Sequence, residues 1–146
     1  MTTVTVRKAT VADIPSLCAL ENECFSLPWS PSAFEDFFAN GCSLCLAALY
    51  EDKIIGYVGM NLLAGEGEIT NLAVTENFRR HGAASALIDA LCQTDSVERL
   101  LLDVRVSNAA ARALYEKHGF TVDGIRKNFY SKPREDAVLM SRTVSK

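Results

Sequence analysis

Arg79, Arg80, His81 and Gly82 stand directly before "AASALIDAL", a run of small and apolar residues at helical spacing. A helix start carries partial positive charge, so acidic residues are its ordinary first-turn neighbours. Two arginines and a histidine invert that pattern and point to an anion supplied from outside the chain. The chemistry on offer is phosphate binding. Backbone N–H groups from His81 through Gly82, Ala83 and Ala84 to Ser85 lack intrahelical partners, and Gly82 lets an anion approach the main chain. Arg79 or Arg80 adds charge-assisted hydrogen bonds. Taken alone, the stretch is equally a solvated basic turn.

Other residue types capable of proton chemistry are few. Asp103 interrupts the apolar "LLLDVRV", where a carboxylate is exposed at a sheet end, paired with Arg105 on the same pleat face, or catalytic. Tyr115 follows Leu114 in a helical segment, either packed with its hydroxyl in water or acting as an acid. Glu68, after the glycine-rich "AGEGE", is an exposed strand residue or a second candidate base. His81 and His118 lack the spaced partners of a metal site or a triad, so His81 reads as a phosphate-loop donor and His118 as a helix-end residue. The five cysteines are odd in number and scattered, as expected of reduced core thiols. Cys42 and Cys45 form a C-x-x-C without a second pair, and we expect no metal there.

Regular elements must position these groups. Thr3 to Arg7 reads as a strand, and Thr10 with Asp13 as a capping box for a helix reaching Cys24. Ser30 and Pro31 open a short helix whose apolar face holds Phe34, Phe37 and Phe38. Cys45 to Tyr50 and Ile54 to Leu62 flank the turn-forming "EDK" as a hairpin, and Glu68 to Val74 is a further strand. A helix from Gly82 to Gln93 carries Ala84, Leu87, Ile88 and Leu91 on one face and leads into the strand "LLLDV". The helix Asn108 to His118 stops at Gly119, which can take positive φ. Thr121 to Ile125 and Ala137 to Thr143 complete the strands. The layout is a single α/β (α+β) domain, with a mixed, mostly antiparallel sheet of about seven strands and helices on both faces.

Composition narrows the function classes. The 146 residues are 49% hydrophobic and 23% charged, a globular composition for a single core. A net charge of -3 argues against non-specific nucleic-acid binding, which needs a broad basic surface. The N-terminus has no basic region followed by an apolar run, and "LCLAALY" falls far short of the roughly 18 residues of a membrane span. We expect a cytoplasmic protein with no membrane partner.

The spacing R-x-x-G-x-A at Arg79, Gly82 and Ala84, with "NLAV" before it and "SNAAARALYEKHGF" after it, resembles the GNAT family of N-acetyltransferases. "PWS" at Pro28 to Ser30, "LLLDVRVSNAAARALYEKHGF", and "RKNFY" followed by "EDAVLM" extend the resemblance over nearly the whole chain, toward the bacterial members that acetylate a ribosomal-protein alanine. The resemblance implies acetyl-CoA as co-substrate. Backbone groups of Leu72, Ala73 and Val74 would hold the pantetheine arm and thioester carbonyl, and Arg79 to Ser85 the pyrophosphate. Asn108 would contact the cofactor near its thiol end, with Tyr115 near the sulfur as the acid. Asp103 occupies the position of a glutamate base, and Glu68 that of the base in histone-acetylating relatives. Trp29 and the "NFY" loop ending in Tyr130 would flank the acceptor groove, where Arg134, Glu135 and Asp136 orient the incoming peptide.

The acceptor implied is the N-terminal segment of a small-subunit ribosomal protein. An aspartate is one methylene shorter than a glutamate and its ordinary pKa is lower by about 0.4, which favours proton relay through a water. An α-amine is roughly one-tenth neutral at pH 7, whereas a lysine costs about 3.5 kcal/mol more to deprotonate, so a weak base suits a protein N-terminus. A lysine or small-molecule amine acceptor, and an acetyl-CoA-binding module that lost its base, remain the alternatives. The oligomeric state is not encoded in any of these features.

Overall fold

The computed structural model describes residues 3–144. Strand β1 (Thr5–Lys8) passes through one 3-10 turn into α1 (Ile14–Cys24), and α2 (Pro31–Ala39) follows. The Asp13 carboxylate accepts the Thr10 N–H over 2.8 Å and pairs with Arg7 at 2.9 Å, fixing the entry to α1. Ser30 caps α2 by accepting the Ala33 N–H over 3.1 Å, with Pro31 at the first helical position. Phe34 and Phe37 are buried beneath α2, and Phe38 packs at the edge of the same cluster.

The hairpin of β2 (Ser43–Tyr50) and β3 (Lys53–Leu63) turns on Glu51 and Asp52, whose φ angles of 48° and 65° match the right-handed twist of the flanking strands. Then come β4 (Glu66–Val74), α3 (Ala83–Cys92), β5 (Arg99–Arg105), α4 (Ala109–Lys117), β6 (Thr121–Tyr130) and β7 (Glu135–Thr143). Most boundaries lie within two residues of the sequence expectation, and two differences bear on the site. Gly82 caps α3 instead of opening it, so Ala83 is buried with Leu87, Ile88 and Leu91 while Ala84 is half-exposed. Asn128 to Tyr130 belong to strand β6 and are not a loop; Asn128, at φ 52°, sits in an irregularity of its pairing with β7.

The seven strands form one sheet in the order β1-β2-β3-β4-β5-β7-β6, antiparallel except for β4 beside β5. Cys45, Ala47, Leu49, Tyr57 and Ala73 face α1 and α2. Leu46, Ala48, Val58 and Met60 face the opposite side, packed with Leu87, Ile88 and Leu91 of α3 and with Tyr115 of α4. Each fully buried leucine or isoleucine contributes about 1.5 to 3 kcal/mol, so the helix pairs are held to the sheet chiefly by these contacts.

One irregularity positions the site. β4 and β5 share only the rungs Glu66 with Arg99, Gly67 with Leu100 and Glu68 with Leu101. Beyond them β4 carries an extra residue, Thr70, because Met60 faces Ile69 while Gly59 faces Asn71. Such a bulge bends the strand that holds it. β5 stays on β7 from Arg99 to Arg105, so the two strands part and a cleft opens in the middle of the sheet.

Candidate active site

Two cavities lie along the parted strands, of about 570 Å³ and about 900 Å³. Both are lined by Cys24, Phe25, Leu72, Asn108, Ala111 and Tyr115, so they meet at those residues.

The larger cavity ends at the start of α3. Ala86 is the first residue there whose N–H finds a carbonyl one turn back, at Gly82 over 2.9 Å. The preceding N–H groups therefore point into the loop, which suits an anion. Arg80 at φ 66° and Gly82 at φ 85° both take the left-handed conformation, and a Cβ on Gly82 would meet no atom within 4 Å. Glycine is thus required there by backbone conformation and by the space in front of it, and not by packing. Arg80, Ala83, Ala84 and Ser85 line this cavity. Arg79 lines it too, but its Nε donates to the Val74 carbonyl over 3.1 Å and its Nη2 to Cys24 Sγ over 3.6 Å, so the guanidinium braces the end of β4. His81 is absent from the lining, and its ring lies 5.9 Å from that of Phe78. Leu72, Ala73 and Val74 all line the cavity, with the Ala73 side chain turned to the other face against α1 and α2.

At the junction, Tyr115 is 6% exposed and its ring meets Phe120 edge-on at 5.4 Å. Burial first, and the neighbouring Tyr130 second, hold its phenol above the ordinary tyrosine range. The hydroxyl therefore keeps its proton at neutral pH, which an acid requires. Asn108 caps α4, its Oδ1 accepting the Ala111 N–H over 3.1 Å; that oxygen is committed, and Nδ2 is the part of the side chain left to face a ligand.

The smaller cavity holds Trp29, Asp103 and Tyr130. Trp29 packs on Phe34 and Phe37 with ring centroids 5.2 and 5.4 Å away. Asp103 stands on β5 opposite Leu139, and its charge helps raise the Tyr130 phenol, after burial. The ion pair with Arg105 suggested by the sequence is replaced by another. Arg105 binds Glu135 at 3.2 Å, donates to the carbonyls of Pro133 at 2.8 Å and Ser131 at 3.0 Å, and lies 4.5 Å over the Tyr130 ring. Glu135 also accepts the Ser107 N–H over 2.6 Å, so it is a clasp between β7 and the approach to α4. Asp136 likewise accepts from Asn128 N–H at 2.9 Å and Lys127 Nζ at 3.2 Å. Arg134 is exposed. Glu68 is exposed at the last rung before the strands part and lines neither cavity, which separates it from Asp103 and Tyr115.

A second carboxylate belongs to the smaller cavity. Glu21 is fully buried; its Oε1 accepts the Trp29 N–H over 2.8 Å, and its Oε2 accepts Asn71 Nδ2 over 3.0 Å and the Tyr57 hydroxyl. Glu21 lies four residues after Leu17, on the apolar face of α1, and that misplaced charge was the one local sign of it. Among the described residues, no group of three or more His, Cys, Asp or Glu side chains could hold a metal ion. The described helices include none long and apolar enough to cross a membrane.

The acetyltransferase (GNAT) family model matches residues 14–120, the span from the start of α1 to the end of α4. The chain belongs to the GNAT family. A [ribosomal protein bS18]-alanine N-acetyltransferase of Salmonella typhimurium is 33% identical to it, over 99% of each chain. The crystal structure of the ribosomal-protein-S18-alanine N-acetyltransferase from Escherichia coli superposes with a TM-score of 0.90 at 30% identity, covering 99% of this chain and 96% of that one. An Arabidopsis thaliana NAA60 crystallised with acetyl-CoA shares the fold, with a TM-score of 0.88 at 20% identity over 97% of this chain and 100% of that one. Within this GNAT domain, the loop at Gly82, the parted edge of β4 and Tyr115 line the two adjoining cavities.

Proposed function

We propose that the enzyme transfers an acetyl group from acetyl-CoA to the α-amine of the N-terminal alanine of a small-subunit ribosomal protein, by direct attack with both substrates bound. The observation carrying this reading is the buried, protonated Tyr115 hydroxyl at the meeting point of a phosphate-ready cavity and an acidic one. The relatives from Salmonella typhimurium and Escherichia coli, named for this acceptor, support the same choice.

Acetyl-CoA supplies an activated acetyl thioester. The N–H groups at Gly82 to Ser85, with Arg80, hold its diphosphate, and the outer edge of β4 at Leu72 to Val74 holds the arm. Tyr115 keeps a proton at Oη for the departing sulfur. Asp103 takes a proton from the incoming ammonium through a water, across the distance its short side chain leaves. Trp29 and Tyr130 wall the acceptor. An α-amine is roughly one-tenth neutral at pH 7, so this modest base suffices for it, whereas a lysine would add about 3.5 kcal/mol.

The test is a peptide panel with acetyl-CoA, following CoA release and locating the added mass. The reading expects modification of the α-amine of alanine-initiated peptides. Mass on internal lysines, or turnover of small amines alone, would replace it with a different acceptor class; CoA binding without thiol release would leave a binding module.

A further inference from the structure

His118 caps α4, and the fold carries it to the first turn of α3. Its Nε2 is 2.9 Å from Ser85 Oγ, and its Nδ1 is 3.6 Å from Asp89 Oδ1. Ser85 lines the larger cavity among the unpaired N–H groups assigned to the diphosphate, and the His118 side chain is about nine-tenths buried, with 11% exposed. Serine, histidine and aspartate thus stand in a line, with the serine at the anion end.

The direction of hydrogen bonding along that line depends on one proton. In a neutral imidazole with Nδ1–H toward Asp89, Nε2 is an acceptor and the Ser85 O–H is spent on it. In the imidazolium both ring nitrogens donate, so Nε2–H points at Ser85 Oγ and the hydroxyl is released to donate elsewhere. An anion at the start of α3 favours the second arrangement twice: it needs the Ser85 donor, and its negative charge stabilises the nearby cation. The charged group against the imidazole is Asp89 from α3; Lys117 precedes His118 in the chain, and the Arg142 side chain of β7 runs past the following Gly119. Asp89 is the charged group in contact with the ring, and a diphosphate at Ser85 would add negative charge at its other nitrogen.

We propose that His118 is a proton-coupled positioning residue for the cofactor: binding of the CoA diphosphate at Gly82 to Ser85 protonates His118, which turns the Ser85 hydroxyl toward the phosphate. This rests on the acetyl-CoA reading above. Because the bound state favours the protonated form, affinity is greatest on the acid side and declines as pH rises through the range in which the bound histidine loses its proton. The same link joins the helix that grips the diphosphate to the helix that carries Tyr115.

Calorimetric titration of CoA into the full-length protein, in buffers of differing ionisation enthalpy, counts the protons taken up. Wild type should take up a fraction of a proton per CoA bound at neutral pH. Its affinity for CoA should also fall several-fold as pH rises from the acid to the alkaline side of neutrality. Wild type should show that excess over His118→Gln, which keeps a donor for Ser85 but does not titrate. Ser85→Ala, which keeps the imidazole and removes the relay, should lose most of it and serves if the first variant misfolds. Equal proton uptake in wild type and the variants overturns the proposal, since CoA's own phosphates titrate alike in all of them. Absence of saturable CoA binding in wild type overturns the cofactor reading and this inference with it.

Discussion

Asn71 donates to Glu21 over 3.0 Å directly past the extra residue of β4, tying the bulge to helix α1. The same carboxylate takes the Trp29 N–H, so one buried anion fixes both the bent strand and the segment that walls the acceptor cavity. Glu21→Ala leaves three donors without an acceptor in the interior. Each buried neutral donor left without a partner costs about 1 to 3 kcal/mol. Urea unfolding should report a loss of that size, with Tyr57→Phe costing markedly less; a loss for Glu21→Ala below about 1 kcal/mol would contradict the role given to this carboxylate.

Tyr115→Phe keeps the ring against Phe120 and removes only the acid. General-acid removal lowers turnover by about 10² to 10⁴-fold. Steady-state kinetics should place the whole effect in kcat, with KM for acetyl-CoA nearly unchanged. Turnover at the wild-type rate would remove Tyr115 from the chemistry.

Asp103 lines the acceptor cavity while Glu68 stands outside it. Asp103→Asn should therefore abolish the acid limb of the pH-rate profile, and Glu68→Gln should preserve it. The opposite outcome would move the base to the last rung of the junction between β4 and β5.

Glu135 has its carboxyl held below the ordinary range, first by its bond to Ser107 and then by Arg105. A carboxyl with depressed folded-state pKa stabilises the protein above its unfolded value, near 4.3, and that contribution disappears as pH falls through the lower folded value. Thermal melts from pH 6 down to pH 3 should fall less steeply for Glu135→Gln than for wild type, from a lower starting point. Parallel curves would show the clasp to be without thermodynamic weight.

Much of this was legible in the sequence where the cause is local. The Ser30 cap, the Glu51 and Asp52 turn, the Gly119 stop and the glycine before α3 each follow from a few adjacent residues, and each is present. The extension of β6 to Tyr130 was not legible, because nearly every residue of that strand is exposed and no alternation of apolar and polar positions marks it. The Arg105 partner was misassigned for a different reason: Asp103 is its neighbour on one pleat face, but Glu135 reaches it from the adjacent strand with a better hydrogen-bonding geometry. Glu21 was not legible because, apart from Trp29 eight residues on, its partners lie 36 and 50 residues away, beyond any spacing rule. His118 came to Ser85 through the same kind of long-range contact, 33 residues apart.

The brief parallel pairing of β4 and β5 has a dynamic consequence. Its three rungs, with the Glu98 and Arg99 amides on Gly65 O, make up most of the main-chain stitching between the two halves of the sheet. α3 packs on β1 to β4, so the chain separates into an N-terminal block and a C-terminal block of β5, β6 and β7. Amide exchange should thus reveal two cooperative units that breathe apart along one seam. A CoA molecule touching Leu72 on one block and Asn108 on the other would staple them, slowing exchange in both at once.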